Sequence, residues 1–143
     1  MYDTVLVPVD GSDESMTAAK EAVRLTADGG TLHILSVVEE LPMYRRSRKA
    51  QKFEGDTETE EDEAKQALKR AEEFVDTADI ECVSTVENGV PRQVIVTHAE
   101  EVGADAIVVG KRGQSEVADD VLGSTTERVI RKASVPVVSV PTT

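Results

Sequence analysis

The sequence predicts an α/β protein built on an open parallel sheet with helices on both faces. Three observations carry this prediction. Short β-branched apolar runs alternate with helical stripes in the order β-α-β-α-β-α-β-α-β. The runs are nearly continuous rather than alternating, as strands covered on both faces should be. The 143 residues suit a single domain, here 1–143, with room for one core and little for a second. Parallel neighbours then require right-handed helical crossovers. Sheets of this kind bind ligands beyond the carboxyl ends of their strands, where the strand order reverses. Periodicity leaves that order open.

Residues 4–9 form the first strand, interrupted by Pro8. Asp10-Gly11-Ser12 then turns the chain, with Ser12 as N-cap. Met16, Ala19, Val23 and Ala27, flanked by Ala22 and Thr26, make one helical stripe, and Gly29-Gly30 is expected to stop that helix in the left-handed conformation. Residues 31–38 are the second strand. A polar segment, residues 39–60, follows; a loop of this length inside a domain is expected to be mobile or functional. A helix begins near Glu61, with Ala64, Ala67, Leu68, Ala71, Phe74, Val75 and Ala78 on one face. Residues 80–86 are the third strand, and Asn88-Gly89 a turn. Pro91 opens a helix whose inner stripe is Val94, Ile95, His98, Ala99 and Val102, closed by Gly103. Residues 106–109 are the fourth strand, ended by Gly110. A glycine-punctuated loop reaches Gly123, residues 124–132 are a short helix with Val129 and Ile130 inside, and residues 135–140 are the last strand.

Composition narrows the function. Hydrophobic residues make up 39% and charged residues 31%, as in soluble globular proteins. No apolar run approaches the ~20 residues that span a bilayer, and Met1-Tyr2-Asp3-Thr4 lacks the basic start of an export signal. The expected location is the cytoplasm, without a membrane. Cys82 is the single cysteine, which suits a reducing compartment. The net charge of -12 repels nucleic-acid backbones, so a nucleic-acid partner is not expected. With 28 acidic residues and only seven lysines, the surface fits a halophilic cytosol, where salt screens the repulsion. Any nucleotide site must be locally basic or use a cation.

Two strand ends carry unusual chemistry. Pro8 lacks an N–H and breaks a ladder, and Asp10 then stands at the mouth of the sheet. A carboxylate there accepts from ribose hydroxyls or caps the following helix; both readings stand. The second place is Gly110-Lys111-Arg112-Gly113, with Gly123-Ser124-Thr125-Thr126-Glu127 further on. Gly110 lets the backbone approach a ligand, Gly113 permits a tight loop, and Ser124 or Thr125 can cap the helix after Gly123. Amides at that helix start and its positive dipole end make a phosphate site, with Lys111 and Arg112 supplying positive charge. The alternative is an ordinary loop with turn glycines.

Gly110, Gly113, Gly123 and Ser124 together match G-x2-G-x9-G-[ST], the nucleotide-binding signature of the universal stress proteins, and nearly the whole chain resembles that family. Val5-Leu6-Val7-Pro8-Val9-Asp10-Gly11-Ser12 resembles its first strand, and Gly89-Val90-Pro91 its turn before the third helix. The segment from Gly103 to Gly110 resembles its fourth strand; Gly123 to Val129 and Val135 to Val140 resemble its closing helix and strand. The resemblance implies a Rossmann-like sheet, of the adenine nucleotide alpha hydrolase type, in order 3-2-1-4-5, which places Asp10 beside Gly110. It implies ATP, ADP or AMP with Mg²⁺ or Mn²⁺. The adenine lies against Pro8, Val9 and the backbone of Val38, Asp10 takes the ribose, and the phosphates lie along Gly110, Arg112, Gly113, Gly123, Ser124 and Thr125, with Thr126 near. It also implies a homodimer through residues 137–140, and a ligand-switched regulatory role in stress response. The linker departs from the pattern by carrying Glu116, Asp119 and Asp120, acids beside the phosphates.

Other chemistries find little support. The residue after Gly123 is Ser124 rather than Lys, so there is no Walker A motif, and no G-x-G-x-x-G follows the first strand. His33 and His98 have no metal-ligand spacing, and His98 on an inner stripe is expected to be a satisfied core histidine; no protein metal ligands are assigned. Cys82 is expected to pack. Ser124 has no nearby histidine in sequence, so nucleophilic hydrolysis is not expected. The Arg45, Arg46, Arg48, Lys49 and Lys52 cluster is read as a solvated loop balanced by its own acids rather than a dock for an acidic partner or lipid. A slow ATPase or autokinase in the same cleft, and a nucleotide-free interaction protein, are the competing functions. No clear water-orienting base lies near Gly123, so a binding protein rather than an enzyme is expected.

Overall fold

The computed structural model describes residues 1–39, 59–111 and 122–141. Five parallel strands form one sheet in the order β3-β2-β1-β4-β5, the order that the family resemblance implies. The strands are β1 (Tyr2–Pro8), β2 (Thr26–Glu39), β3 (Glu81–Gly89), β4 (Ala106–Gly110) and β5 (Val137–Val140). The described helices are α1 (Asp13–Leu25), α2 (Glu60–Glu72), α3 (Pro91–Val102) and α4 (Ser124–Lys132). Residues 40–58 of the segment expected to be a mobile loop, with the basic cluster, lie outside the described residues; at its ends Glu39 belongs to β2, Thr59 is the cap of α2 and Glu60 its first residue.

Side-chain alternation splits the core into two layers. Val5 and Val7 of β1, with Val9 just beyond it, point to α1 and α2, where they meet Met16, Ala19, Ala22, Leu68 and Ala71. Leu6 points the other way, with Leu35 and Ile107, onto Ile95 and Ala99 of α3 and Val129 of α4. Burial on both faces explains why these strands are continuous apolar runs.

The helix ends follow local chemistry. Ser12 caps α1, its hydroxyl oxygen accepting from the Ser15 N–H. Thr59 and Asp62 form a reciprocal capping box at the start of α2. Pro91 occupies the first turn of α3, and Gly103 closes it at φ 67°. Three expectations fail: Asn88-Gly89, expected as a turn, lies inside β3 and pairs with Val38 and Glu39. The first helix ends at Leu25, not at Gly29-Gly30: Thr26 turns extended, and its hydroxyl donates to the Ala22 carbonyl at 2.8 Å. Gly29 does take a left-handed conformation, but inside β2, with its N–H donating to the Asp79 carbonyl. In α4, Val129 is buried but Ile130 is 42% exposed, because Thr126 and Val129 share the inward face and Ile130 lies a further step round the helix.

Candidate functional site

The sheet parts between β1 and β4. Their register covers only Val5↔Ala106 and Leu6↔Ile107. Beyond that point, β1 follows β2 to Pro8↔Leu35, and the Val9 N–H donates to the Leu35 carbonyl at 2.8 Å. The other strand follows β5 to Gly110↔Val140. Successive residues of a strand aim their N–H groups to opposite sides. Since Val9 donates toward β2, an N–H on residue 8 would aim toward β4, and Pro8 has none. The missing donor thus falls on the side where pairing stops, at the reversal of strand order, the place where sheets of this kind open a ligand crevice.

Asp10 stands on the β1 rim of this crevice and is exposed. One carboxylate oxygen accepts from the Ser12 N–H at 2.9 Å and from the Ser12 hydroxyl, while the Asp10 N–H donates to Ser15 Oγ. The side chain that caps α1 is therefore that of Ser12, and Asp10 is held by a local turn that fixes its carboxylate.

The β4 rim is built differently from the sequence reading. A Cβ on Gly110 would stand 3.0 Å from the Glu14 carbonyl oxygen and 3.1 Å from Glu14 Cβ. The close approach that requires a glycine here is that of α1. The Gly110 carbonyl accepts from the buried Thr126 hydroxyl at 2.8 Å. The Gly123 N–H donates to the Lys111 carbonyl at 2.9 Å, and the Lys111 N–H donates to the Val140 carbonyl. These bonds pin the start of α4 beside the end of β4. Gly123 is the N-cap residue of α4 with no side-chain cap bond, so the expected cap by Ser124 or Thr125 does not form. Both are exposed in the first turn, where helix N–H groups lie beyond the reach of helical carbonyls.

Pro8, Val9, Asp10, Gly110, Gly123, Ser124, Thr125 and Thr126 thus come from two neighbouring strand ends. Val38 lies one strand further, in the stretch of β2 that runs past its pairing with β1. Arg112, Gly113, Glu116, Asp119 and Asp120 lie outside the described residues. The sequence reading missed Arg70 of α2, whose guanidinium donates to the Gly11 carbonyl at 3.0 Å and approaches Asp13. Only the crossover brings it there, fifty-nine residues along the chain.

Of the two histidines, His98 departs from expectation. The rings of His33 on β2 and His98 on α3 stand edge to face, centroids 6.4 Å apart. Burial first, and the neighbouring His98 second, hold the His33 imidazole below its usual range, against a smaller opposing effect of Glu81. His98 is buried, but neither of its nitrogens has a hydrogen-bond partner among the described residues. It is not the satisfied core histidine that its position on the inner stripe suggests.

A parallel sheet wound in both directions from β1 and parted at its switch point defines a doubly wound, Rossmann-like α/β protein. The chain belongs to the universal stress protein family, whose model matches residues 1–141. Universal stress protein MJ0531 of Methanocaldococcus jannaschii is 31% identical over 141 residues, which cover 98% of this chain and 82% of that one. The solved structure of MJ0577, from the same organism, has a TM-score of 0.77 at 26% identity, covering 100% of this chain and 98% of its own. A universal stress protein crystallised in complex with cAMP has a TM-score of 0.70 at 32% identity, over 99% of each chain. Among the described residues, no helix is long and apolar enough to cross a membrane.

Proposed function

We propose that this universal stress protein binds an adenine nucleotide in the β1–β4 crevice and acts in the cytoplasm, in the stress response, as a ligand-switched homodimer. The observation that carries the reading is the pairing of two parts at one opening: an oriented carboxylate, Asp10, and a helix start pegged beside Gly110. Asp10 takes the ribose hydroxyls, and Pro8, Val9 and the Val38 backbone flank the base. Arg112, Gly113, Ser124 and Thr125 meet the phosphates. Gly110, Gly123 and Thr126 hold that cradle in place. The cAMP complex of a 32% identical relative supports an adenine nucleotide as ligand class. The carboxylate and hydroxyl oxygens of Asp10, Ser124 and Thr125 are hard donors compatible with Mg²⁺ or Mn²⁺, which is carried chiefly on the phosphate oxygens and water of a polyphosphate and offsets its charge.

Calorimetric titration with ATP, ADP, AMP and cAMP, each with and without Mg²⁺, tests the proposal. Micromolar-range binding is expected for at least one of them, and it weakens sharply in Asp10→Ala, Gly113→Val and Gly123→Val. Absence of heat with all four nucleotides ends it. The dimer runs through β5, the last strand in the order, which has no further strand beyond it among the described residues. Sedimentation in the presence and absence of nucleotide reads it out, and a monomer under both conditions refutes the dimer. The acid-rich composition further marks a protein adapted to concentrated salt: unfolding midpoints should rise with molar KCl.

A further inference from the structure

Glu87 of β3 and His98 and Glu101 of α3 bring three potential ligand atoms within 4.8 Å of one another. The cluster lies away from the β1 and β4 strand ends, because β3 is the opposite edge strand, with β2 between it and β1; of the residues in the proposed nucleotide site, Val38 comes nearest in the sheet, pairing with Asn88 beside Glu87. His98 and Glu101 are three residues apart on one helix, a spacing that puts both on one face. Glu87 comes from the strand that precedes this helix.

His98 is 7% exposed, and both of its ring nitrogens lack hydrogen-bond partners among the described residues. A buried imidazole that has given up water ordinarily gains a partner in exchange. Its Nδ1 lies 3.6 Å from Glu87 Oε1, outside hydrogen-bond reach. Two ligands bonded to one Zn²⁺, each at about 2.0–2.2 Å, stand about 3–4 Å apart. The gap that is too long for a hydrogen bond is thus the right length for a shared metal. We propose that Glu87, His98 and Glu101 form a binding site for a divalent transition-metal ion of the Zn²⁺ type, with water completing the coordination. One imidazole nitrogen favours Zn²⁺ or Co²⁺ over Ca²⁺ and Mg²⁺, which take oxygen ligands. Two carboxylates balance the dication. A metal here ties the edge strand β3 to α3 and stabilises that seam.

The test uses the full chain stripped by chelator and dialysed, without nucleotide. Titration with ZnCl₂, metal analysis after gel filtration, and thermal melts are the readouts. One retained equivalent of Zn²⁺ and a raised Tm are expected, and Co²⁺ should give visible absorption bands. His98→Gln should abolish both the retained metal and the Tm rise. Glu101→Gln, an exposed position that leaves packing intact, should weaken binding by about tenfold or more. Glu100→Gln, on the same helix but outside the cluster, should bind as the parent does. Zn²⁺ retention that is equal in the parent, His98→Gln and Glu101→Gln would assign the metal to scattered surface acids and overturn the site, as would the absence of retained metal in the parent.

Discussion

The hydroxyl of Thr126 donates a buried hydrogen bond to the carbonyl of Gly110, sixteen residues earlier, at 2.8 Å. Together with the bond from Gly123 to Lys111, it fixes where α4 begins relative to β4. An anion placed against the first turn of α4 therefore meets a helix end that is already positioned. Preorganisation of this kind lowers the cost of binding.

Thr126→Val keeps the shape but leaves the Gly110 carbonyl without this donor. A loss of about 1–2 kcal/mol in unfolding free energy is expected, read by urea titration. Nucleotide affinity should fall with it. Thr126→Ser should restore both.

Gly110→Ala should destabilise the fold whether or not a nucleotide is present. The new methyl meets the backbone of Glu14, which cannot rotate away. Overpacking of this kind costs about 1–3 kcal/mol. Thermal melts without ligand separate this effect from any effect on binding; an unchanged Tm would contradict the packing account.

Ser12→Ala removes the α1 cap and one of the partners of Asp10. The cap alone is worth about 1 kcal/mol. A larger loss of nucleotide affinity than of stability is expected, because the Asp10 carboxylate loses its hydroxyl partner as well and keeps the bond from the Ser12 N–H.

Asp62 supplies a pH-dependent contribution. The Thr59 N–H, followed by the Thr59 hydroxyl, holds its carboxyl below the ordinary range, and Lys65 adds a smaller effect in the same direction against desolvation. A folded pKa below the unfolded one gives stability that is complete above the unfolded value and is lost as pH falls through the folded one. The difference in stability between the parent and Asp62→Asn should be flat above about pH 5 and shrink in acid. A difference that grows in acid would reverse the assignment.

Burial pushes the Cys82 thiol up, with Glu72 and Asp76 acting in the same direction and Ser84 opposing. Little thiolate is then present near neutral pH. Cys82 should react with an aromatic disulfide reagent more slowly than a cysteine peptide does, and should speed up to the peptide rate in denaturant.

Much of this architecture is legible in the residues. Continuous runs such as Val5-Leu6-Val7 announce buried parallel strands, and Pro91 and Gly103 mark both ends of α3. Strand order is not written in periodicity, and came from family resemblance. Pro8 could be read as a ladder break, but which neighbour loses the bond depends on the direction of the Val9 N–H. Gly29-Gly30 misled because a glycine pair signals a turn without saying which element it belongs to. His33 and His98 meet only because β2 pairs with β3 and α3 folds back over both. No linear spacing encodes that meeting.

The 2.9 Å clasp between Lys111 and Gly123 has an engineering consequence. The bond runs backbone to backbone, so the end of β4 and the start of α4 stay joined whatever side chains stand at these two positions. A designer who varies the chain between those two positions thus works against a closure that side-chain changes leave in place, and thermal melts of such variants should stay near that of the parent.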